Sequence, residues 1–435
     1  MQLRRVLTAS DATWMVAGNM IGAGIFITPG FVAGSLPGLA WPLVAWVLGG
    51  LLALAGAAIY GELGSRLPHA GGDYQYLTRA FGPMWGFLMG WSALTLSFSA
   101  AAAAMCRVSV SYLLAGLPEG AGISTAAAQS IGAPLLLLLL TWANVAGARV
   151  SGRTTAVLTG GPLLVLLVLF GYGAFAGEAR LDWPAAPLAA PTAAWPLALG
   201  AAMVPVFFTF SGWNAAAYVA GELREPGRSL PRALLLGTGT VTLLYLLVNL
   251  ALLALLGDGL AATATPGADA LGRLLGARAQ AGLSWIIAVA ILGSANVTLM
   301  AGARVYYAMA VDGQAPRPLG RVNRNGVPST ALWCGGLWSA LLALFAQVDA
   351  LVGWATLAIL LLSSLTVASL VVLRRRAPEA APFRCPGFPF TPWLYVAASL
   401  GVATASSARE PWKALWGVLI VLAGLPVYAA WRRWK

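Results

Sequence analysis

Apolar stretches longer than the roughly 20 residues needed to cross a bilayer recur along the whole of this sequence, separated only by short clusters of Gly, Pro and charge. They fall near residues 11–37, 40–65, 83–116, 130–148, 154–176 and 196–221, and again near 231–257, 282–311, 329–347, 350–373, 390–408 and 412–431. In lipid every backbone N–H and C=O must find a partner inside the protein, so such stretches are helices. The expectation is an all-α integral membrane protein of about twelve transmembrane helices, a single membrane domain over residues 1–435 with no room for a soluble one.

Composition agrees, at 59% hydrophobic and 9% charged, far from the balance of a water-soluble domain. The net charge of +12 would suit nucleic acid only if the basic residues shared one face with aromatic partners. Instead they sit in short loops, where retention of Arg and Lys on the cytoplasmic side explains them. With the N-terminus inside, Arg4, Arg5, Arg66, Arg79, Arg149, Arg153, Arg224, Arg228, Arg232, Arg374, Arg375, Arg376, Arg432 and Arg433 fall on that side, whereas Arg180, Arg273, Arg278, Arg409 and Lys413 fall outside. An odd number of spans would move the last cluster outward, so the even count and cytoplasmic termini go together. Arg4 and Arg5 precede a long apolar run without a small-residue cleavage site, which reads as a retained first helix in a multi-pass inner membrane protein.

Little of the usual chemistry of enzymes is available. Cys106, Cys334 and Cys385 form no metal or disulfide pattern, and His69 is the only histidine. Intramembrane carboxylates are scarce, so neither a catalytic constellation, a metal site nor a cofactor is expected. Arg107 is the clearest basic residue within a span, others lying at span ends. It is open to two readings, a functional charge or a side chain snorkelling to the nearby outer surface.

Two spans carry residues that weaken helices at mid-membrane depth. The first reads Gly18-Asn19-Met20-Ile21-Gly22-Ala23-Gly24-Ile25-Phe26, with Pro29-Gly30 following; the sixth reads Val206-Phe207-Phe208-Thr209-Phe210-Ser211-Gly212-Trp213-Asn214. Unwound backbone in a membrane must line a cavity or be buried in protein. A break offers half-helix N–H groups to an anion and freed carbonyls to a cation, which together suit a zwitterion. The amides of Gly22, Ala23 and Gly24 are therefore expected to hold a carboxylate. Carbonyls of Met20 or Ile21, with Phe208 and Ser211, are expected to hold an amine. Breaks five helices apart imply an inverted repeat of five plus five helices, approximately residues 11–176 and 196–373, with two extra helices over 390–431.

These residues resemble the amino acid, polyamine and organocation superfamily, and within it the L-type amino acid transporters. Gly22-Ala23-Gly24-Ile25-Phe26, Thr28-Pro29, Tyr60-Gly61-Glu62-Leu63-Gly64, Gly71-Gly72-Asp73-Tyr74, Ser211-Gly212-Trp213-Asn214, Glu222, Leu230-Pro231-Arg232, Gly293-Ser294 and Gly424-Leu425-Pro426-Val427-Tyr428 follow the family pattern in order. The resemblance implies a LeuT-like fold with broken helices 1 and 6, a substrate site between them and alternating access. It also implies that Phe208 closes over substrate as a gate and that Asn214 lies beside the site. Where relatives often carry a Lys in the fifth helix this chain has Pro162, which leaves the energy source open. Animal relatives form a disulfide to a heavy chain from the loop between helices 3 and 4; here Gly116 to Ser130 contains no Cys, so no disulfide-linked partner is expected.

Side-chain selectivity is expected from Ala101, Met105, Asn214, Ser294, Asn296, Thr356 and Leu360. No carboxylate is among them, which favours a neutral amino acid. Exchange of one neutral amino acid for another is the expected activity, with uniport, proton symport or a transporter-like sensor as alternatives. The missing heavy-chain cysteine points to a bacterial plasma membrane, with lipid and substrate as the only partners.

Overall fold

The computed structural model describes residues 5, 7–38, 40–69, 71–117, 124–146, 161, 168, 171–173, 195–263, 265–377 and 381–433. Most of the expected fifth span, Pro162 included, lies outside the described residues. Within them, apart from an isolated backbone bridge between Leu7 and Leu223, everything is helix, turn or loop.

The first apolar stretch is two helices. Helix α1 (Ala9–Met20) opens on a reciprocal cap: Asp11 N–H donates to Thr8 Oγ1 at 3.2 Å, and Thr8 N–H donates back to the Asp11 carboxylate at 2.8 Å. This satisfies amides that the first turn leaves open. Ile21 and Gly22 are not helical, and α2 (Ala23–Ser35) resumes at an angle of 43°. The next elements are α3 (Ala40–Arg66), the short α4 (Asp73–Phe81), α5 (Pro83–Ala115, with a π-helical turn at Ala93–Ser97) and α6 (Thr125–Val145).

The sixth stretch is interrupted as well. Helix α7 (Trp195–Phe210) stops, Ser211 to Asn214 form a turn, and α8 (Ala215–Tyr218) is a single turn of helix. Gly212 sits at φ +96°, a conformation open to glycine at little cost. A Cβ there would also come within 2.6 Å of Asn19 Nδ2. The chain continues through α9 (Pro226–Leu256), α10 (Pro266–Leu275), α11 (Ala277–Val311), α12 (Ser329–Phe345), α13 (Val348–Arg376), α14 (Phe390–Arg409), α15 (Pro411–Leu422) and α16 (Gly424–Arg433).

Among the described residues seven helices are long and apolar enough to cross a membrane, or eight when α1 and α2 are taken as one bent span. Two apolar helices, α7 and α12, are shorter. The broken helices sit centrally: α1 packs on α9 and α11, α2 on α7, and α13 on α5 and α14. The outer faces carry Phe345, Phe390 and Trp412, all more than 70% exposed, as expected of side chains whose solvent is lipid. Trp41 and Trp195 pack at a tilt of 59°, with ring centroids 4.4 Å apart.

Arg107 is buried and does not snorkel. Its guanidinium donates to the Ala343 carbonyl in the last turn of α12 at 2.6 Å and to Gln129 Oε1 at 3.1 Å. A cation is favourable at that helix end. Glu62, fully buried on α3, pairs with Arg66 at 2.9 Å and with Arg374 of α13, and also accepts from the Cys385 amide at 2.7 Å.

Candidate substrate site at two interrupted helices

Both breaks are braced by hydroxyl groups. The Ser294 hydroxyl, on α11, donates to the Ile21 carbonyl at 2.6 Å and lies 3.0 Å from the Gly18 carbonyl. Tyr245, on α9, places its hydroxyl 2.5 Å from the Met20 carbonyl and 3.3 Å from that of Thr209, so one side chain touches both broken segments. The Phe208 carbonyl accepts from the Ser211 hydroxyl at 2.6 Å and from the Ser211 amide at 3.0 Å. The Met20 carbonyl also accepts from the Gly22 amide at 2.8 Å, so it and the Phe208 carbonyl each hold two donors already, whereas the Ile21 carbonyl accepts from Ser294 and keeps a second lone pair for a ligand.

Gly22 is the cap residue of α2, which has no side-chain cap; the amides of its first turn have no intrahelical acceptor. A Cβ on Gly22 would approach Ser294 Cβ at 3.3 Å and Met105 Cε at 3.4 Å. Gly24 faces elsewhere. A Cβ there would lie 2.6 Å from the Thr209 Cα, so this glycine lets α2 and α7 approach backbone to backbone. Thr28 joins the same contact, 2.8 Å from the Thr209 hydroxyl.

Below the breaks lies a cavity of about 70 Å³, lined by residues of both interrupted helices and of α4, α5, α11 and α13. Since one water needs about 10–15 Å³ by this measure, the space is that of a handful of waters or a small solute. Of the expected residues it takes Ala101, Met105, Ser211 and Asn214. Met20, Ile21, Gly22, Ala23, Gly24 and Phe208 are buried at the breaks just outside this lining. Ser294 braces instead of lining. Asn296 accepts from Asn144 at 2.5 Å and faces a separate cavity of about 320 Å³ beside Asp11, Glu222 and Arg304. From α13 the lining takes Ile359, Leu362 and Ser363; Thr356 and Leu360, expected from sequence, are buried elsewhere on the same helix.

The lining also contains residues that sequence reasoning passed over: Asn19, Asp73, Tyr218 and Thr298. Asn19 was within the broken motif, and its amide lies 3.4 Å from the Gly212 carbonyl, linking the two breaks. Tyr218 is one helical turn beyond Asn214, the spacing that puts both on one face. Asp73 corrects the expectation of a lining without a carboxylate. It opens α4, between the second and third apolar stretches, and accepts from the Tyr218 hydroxyl and, at 3.4 Å, from the Asn214 amide. Burial pushes its carboxyl above the ordinary range, with hydroxyl hydrogen bonds pulling the other way.

An apolar helix bundle with two interrupted helices meeting at a partly polar cavity is the architecture of a multi-pass membrane transporter. The chain belongs to the amino acid permease family, whose profile matches residues 7–429. It is 29% identical over 443 residues to the serine/threonine exchanger SteT of Bacillus subtilis (strain 168), covering 100% of this chain and 98% of that one. It is 28% identical over 444 residues to the Asc-type amino acid transporter 1 of Mus musculus, covering 82% of that protein. Similarity to the large neutral amino acids transporter small subunit 2 of Mus musculus is again 28%, over 447 residues.

Proposed function

We propose that this protein carries neutral L-amino acids across the plasma membrane by alternating access, one amino acid exchanging for another. The observation that carries the reading is the cavity at the breaks, whose lining combines donors and acceptors such as Asn19, Ser211 and Asn214 with Ala101, Met105, Ile359 and Leu362. A zwitterion would set its carboxylate against the amides at the start of α2, those of Ala23 and Gly24 directly and that of Gly22 by displacing its bond to the Met20 carbonyl. Its ammonium would reach the second lone pair of the Ile21 carbonyl and the Ser211 hydroxyl, at the edge of the break where the Phe208 carbonyl already accepts twice from Ser211. Asn214 and Ser211 would orient it, and Phe208, one turn before the break, would close over it.

On this reading the frame is about twelve spans in a five-plus-five inverted repeat with cytoplasmic termini. Asp73 is compatible with a neutral substrate, because its carboxylate is engaged by Tyr218 and Asn214. A small substrate is favoured by the cavity volume, and the name of the SteT relative agrees with that preference.

Counterflow in proteoliposomes tests the proposal. Labelled alanine, serine and leucine are offered with and without internal amino acid, across imposed pH and sodium gradients. Uptake stimulated from the trans side is the expected result. Uptake that needs a cation gradient and ignores internal amino acid would replace exchange by symport.

A further inference from the structure

The deepest feature of the cavity has no part in holding a zwitterion. Asp73 is 3% exposed. One carboxylate oxygen accepts from Tyr218 and Asn214, while Oδ1 has no hydrogen-bond partner. Beside it the buried hydroxyls of Tyr60 and Thr366 come near enough to act on the carboxyl but fall short of hydrogen-bond geometry, and the Tyr76 hydroxyl has no partner. So loosely satisfied a buried polar group is uncommon in a folded protein, where nearly all such atoms are paired.

Among the described residues no opposite charge acts on the carboxylate. The titratable groups facing it are Tyr60 from α3, Tyr76 from α4 itself, Tyr218 from α8 and Tyr395 from α14. Helix α13 adds Thr366, and α5 adds the uncharged cavity residues Ser97 and Phe98. Glu62 pairs with Arg66 and Arg374, and Glu222 with Arg304; Asp73 belongs to neither group. A buried carboxylate without a countercation is costly, and a proton removes that cost.

We infer that Asp73 is a proton-binding site of this protein, loaded while the cavity is closed by Tyr218 and emptied when the α8 turn moves away. The step is a simple ionisation. A proton from water forms an O–H bond at Oδ1, and the neutral acid becomes a donor to the hydroxyl of Thr366 or Tyr60. On opening, that bond breaks and the proton passes to water entering the cavity. Asp73 is then a positioning group for α8, through Tyr218 and Asn214, and its proton gives the transport cycle its dependence on pH. The link to the cycle rests on the transport reading above; binding of the proton does not.

Two measurements on the full-length protein separate these. In lipid nanodiscs, pH-difference infrared spectra of the wild type should show a protonated-carboxyl band that titrates and is lost in Asp73→Asn. A band unchanged in that variant overturns the site. In proteoliposomes, alanine counterflow should vary with pH in the wild type, lose that variation in Asp73→Asn, and regain it with a shifted midpoint in Asp73→Glu. A wild-type profile retained by Asp73→Asn overturns the coupling, as does a sodium requirement abolished by the same change. Wild-type protein that shows no counterflow of any amino acid would sink the transport reading, and the infrared titration would still decide Asp73. Thermal unfolding of each variant identifies one that has failed to fold.

Discussion

Ser294 holds the first interruption open: its hydroxyl lies 2.6 Å from the Ile21 carbonyl and 3.0 Å from that of Gly18, joining α11 to backbone that has no helical partner. Ser294→Ala leaves a buried carbonyl unsatisfied, at a cost of about 1–3 kcal/mol. The expected result is a lower unfolding temperature in detergent and a raised KM for alanine counterflow. Cysteine, a weaker donor of similar size, should fall between serine and alanine in both assays.

Gly24 offers a sharper test of packing. The Thr209 Cα lies 2.6 Å from where a Cβ would stand, so Gly24→Val should separate α2 from α7. Both amino-acid binding and thermal stability are expected to fall. Truncating Thr209 to Ala in the same protein should not restore them, because the obstruction includes backbone. Recovery in the double variant would show that only the side chain mattered.

Arg107 should behave as a helix-end cap. Arg107→Met preserves much of the volume but removes the donor to the Ala343 carbonyl. A loss of about 1–3 kcal/mol is expected, read as a drop in unfolding temperature, with the substrate preference in counterflow unchanged. A changed preference would instead place Arg107 in the transport pathway.

The Glu62 cluster predicts a different pattern. Removing one partner from a buried ion pair typically costs about 3–5 kcal/mol, and both arginines here retain some exposure, which moves the expectation to the lower end. Arg374→Ala should therefore destabilise more than Arg66→Ala, since Arg374 also packs over the Phe388 ring, 3.9 Å from its centroid. Thermal unfolding of the two single variants and the double variant measures their coupling.

The helical frame was legible because lipid removes the alternatives: a run such as 40–65 has to be helix, and α3 covers Ala40–Arg66. The breaks were legible because glycine and proline weaken helices wherever they occur. The facing of side chains was not. Choosing Thr356 and Leu360 over Ile359 and Ser363 on α13 is a matter of rotation about the helix axis, which an apolar sequence without a polar face does not reveal. Asp73 escaped for a related reason. It lies between spans, where an acidic residue is ordinarily solvated, and only folding carries α4 inward against α13 and the α8 turn.

The last helices are more than an appendage to the two halves of the proposed repeat. The Cys385 amide binds Glu62, the Ala377 carbonyl receives Arg66 at 2.8 Å, and Trp91 reaches the Ile420 carbonyl at 2.8 Å. A chain stopped at Arg376 would contain every residue proposed to touch substrate, yet it would strip main-chain partners from two neighbouring helices. The tail is a clasp, fastening α3 and α5 from one side through main-chain groups.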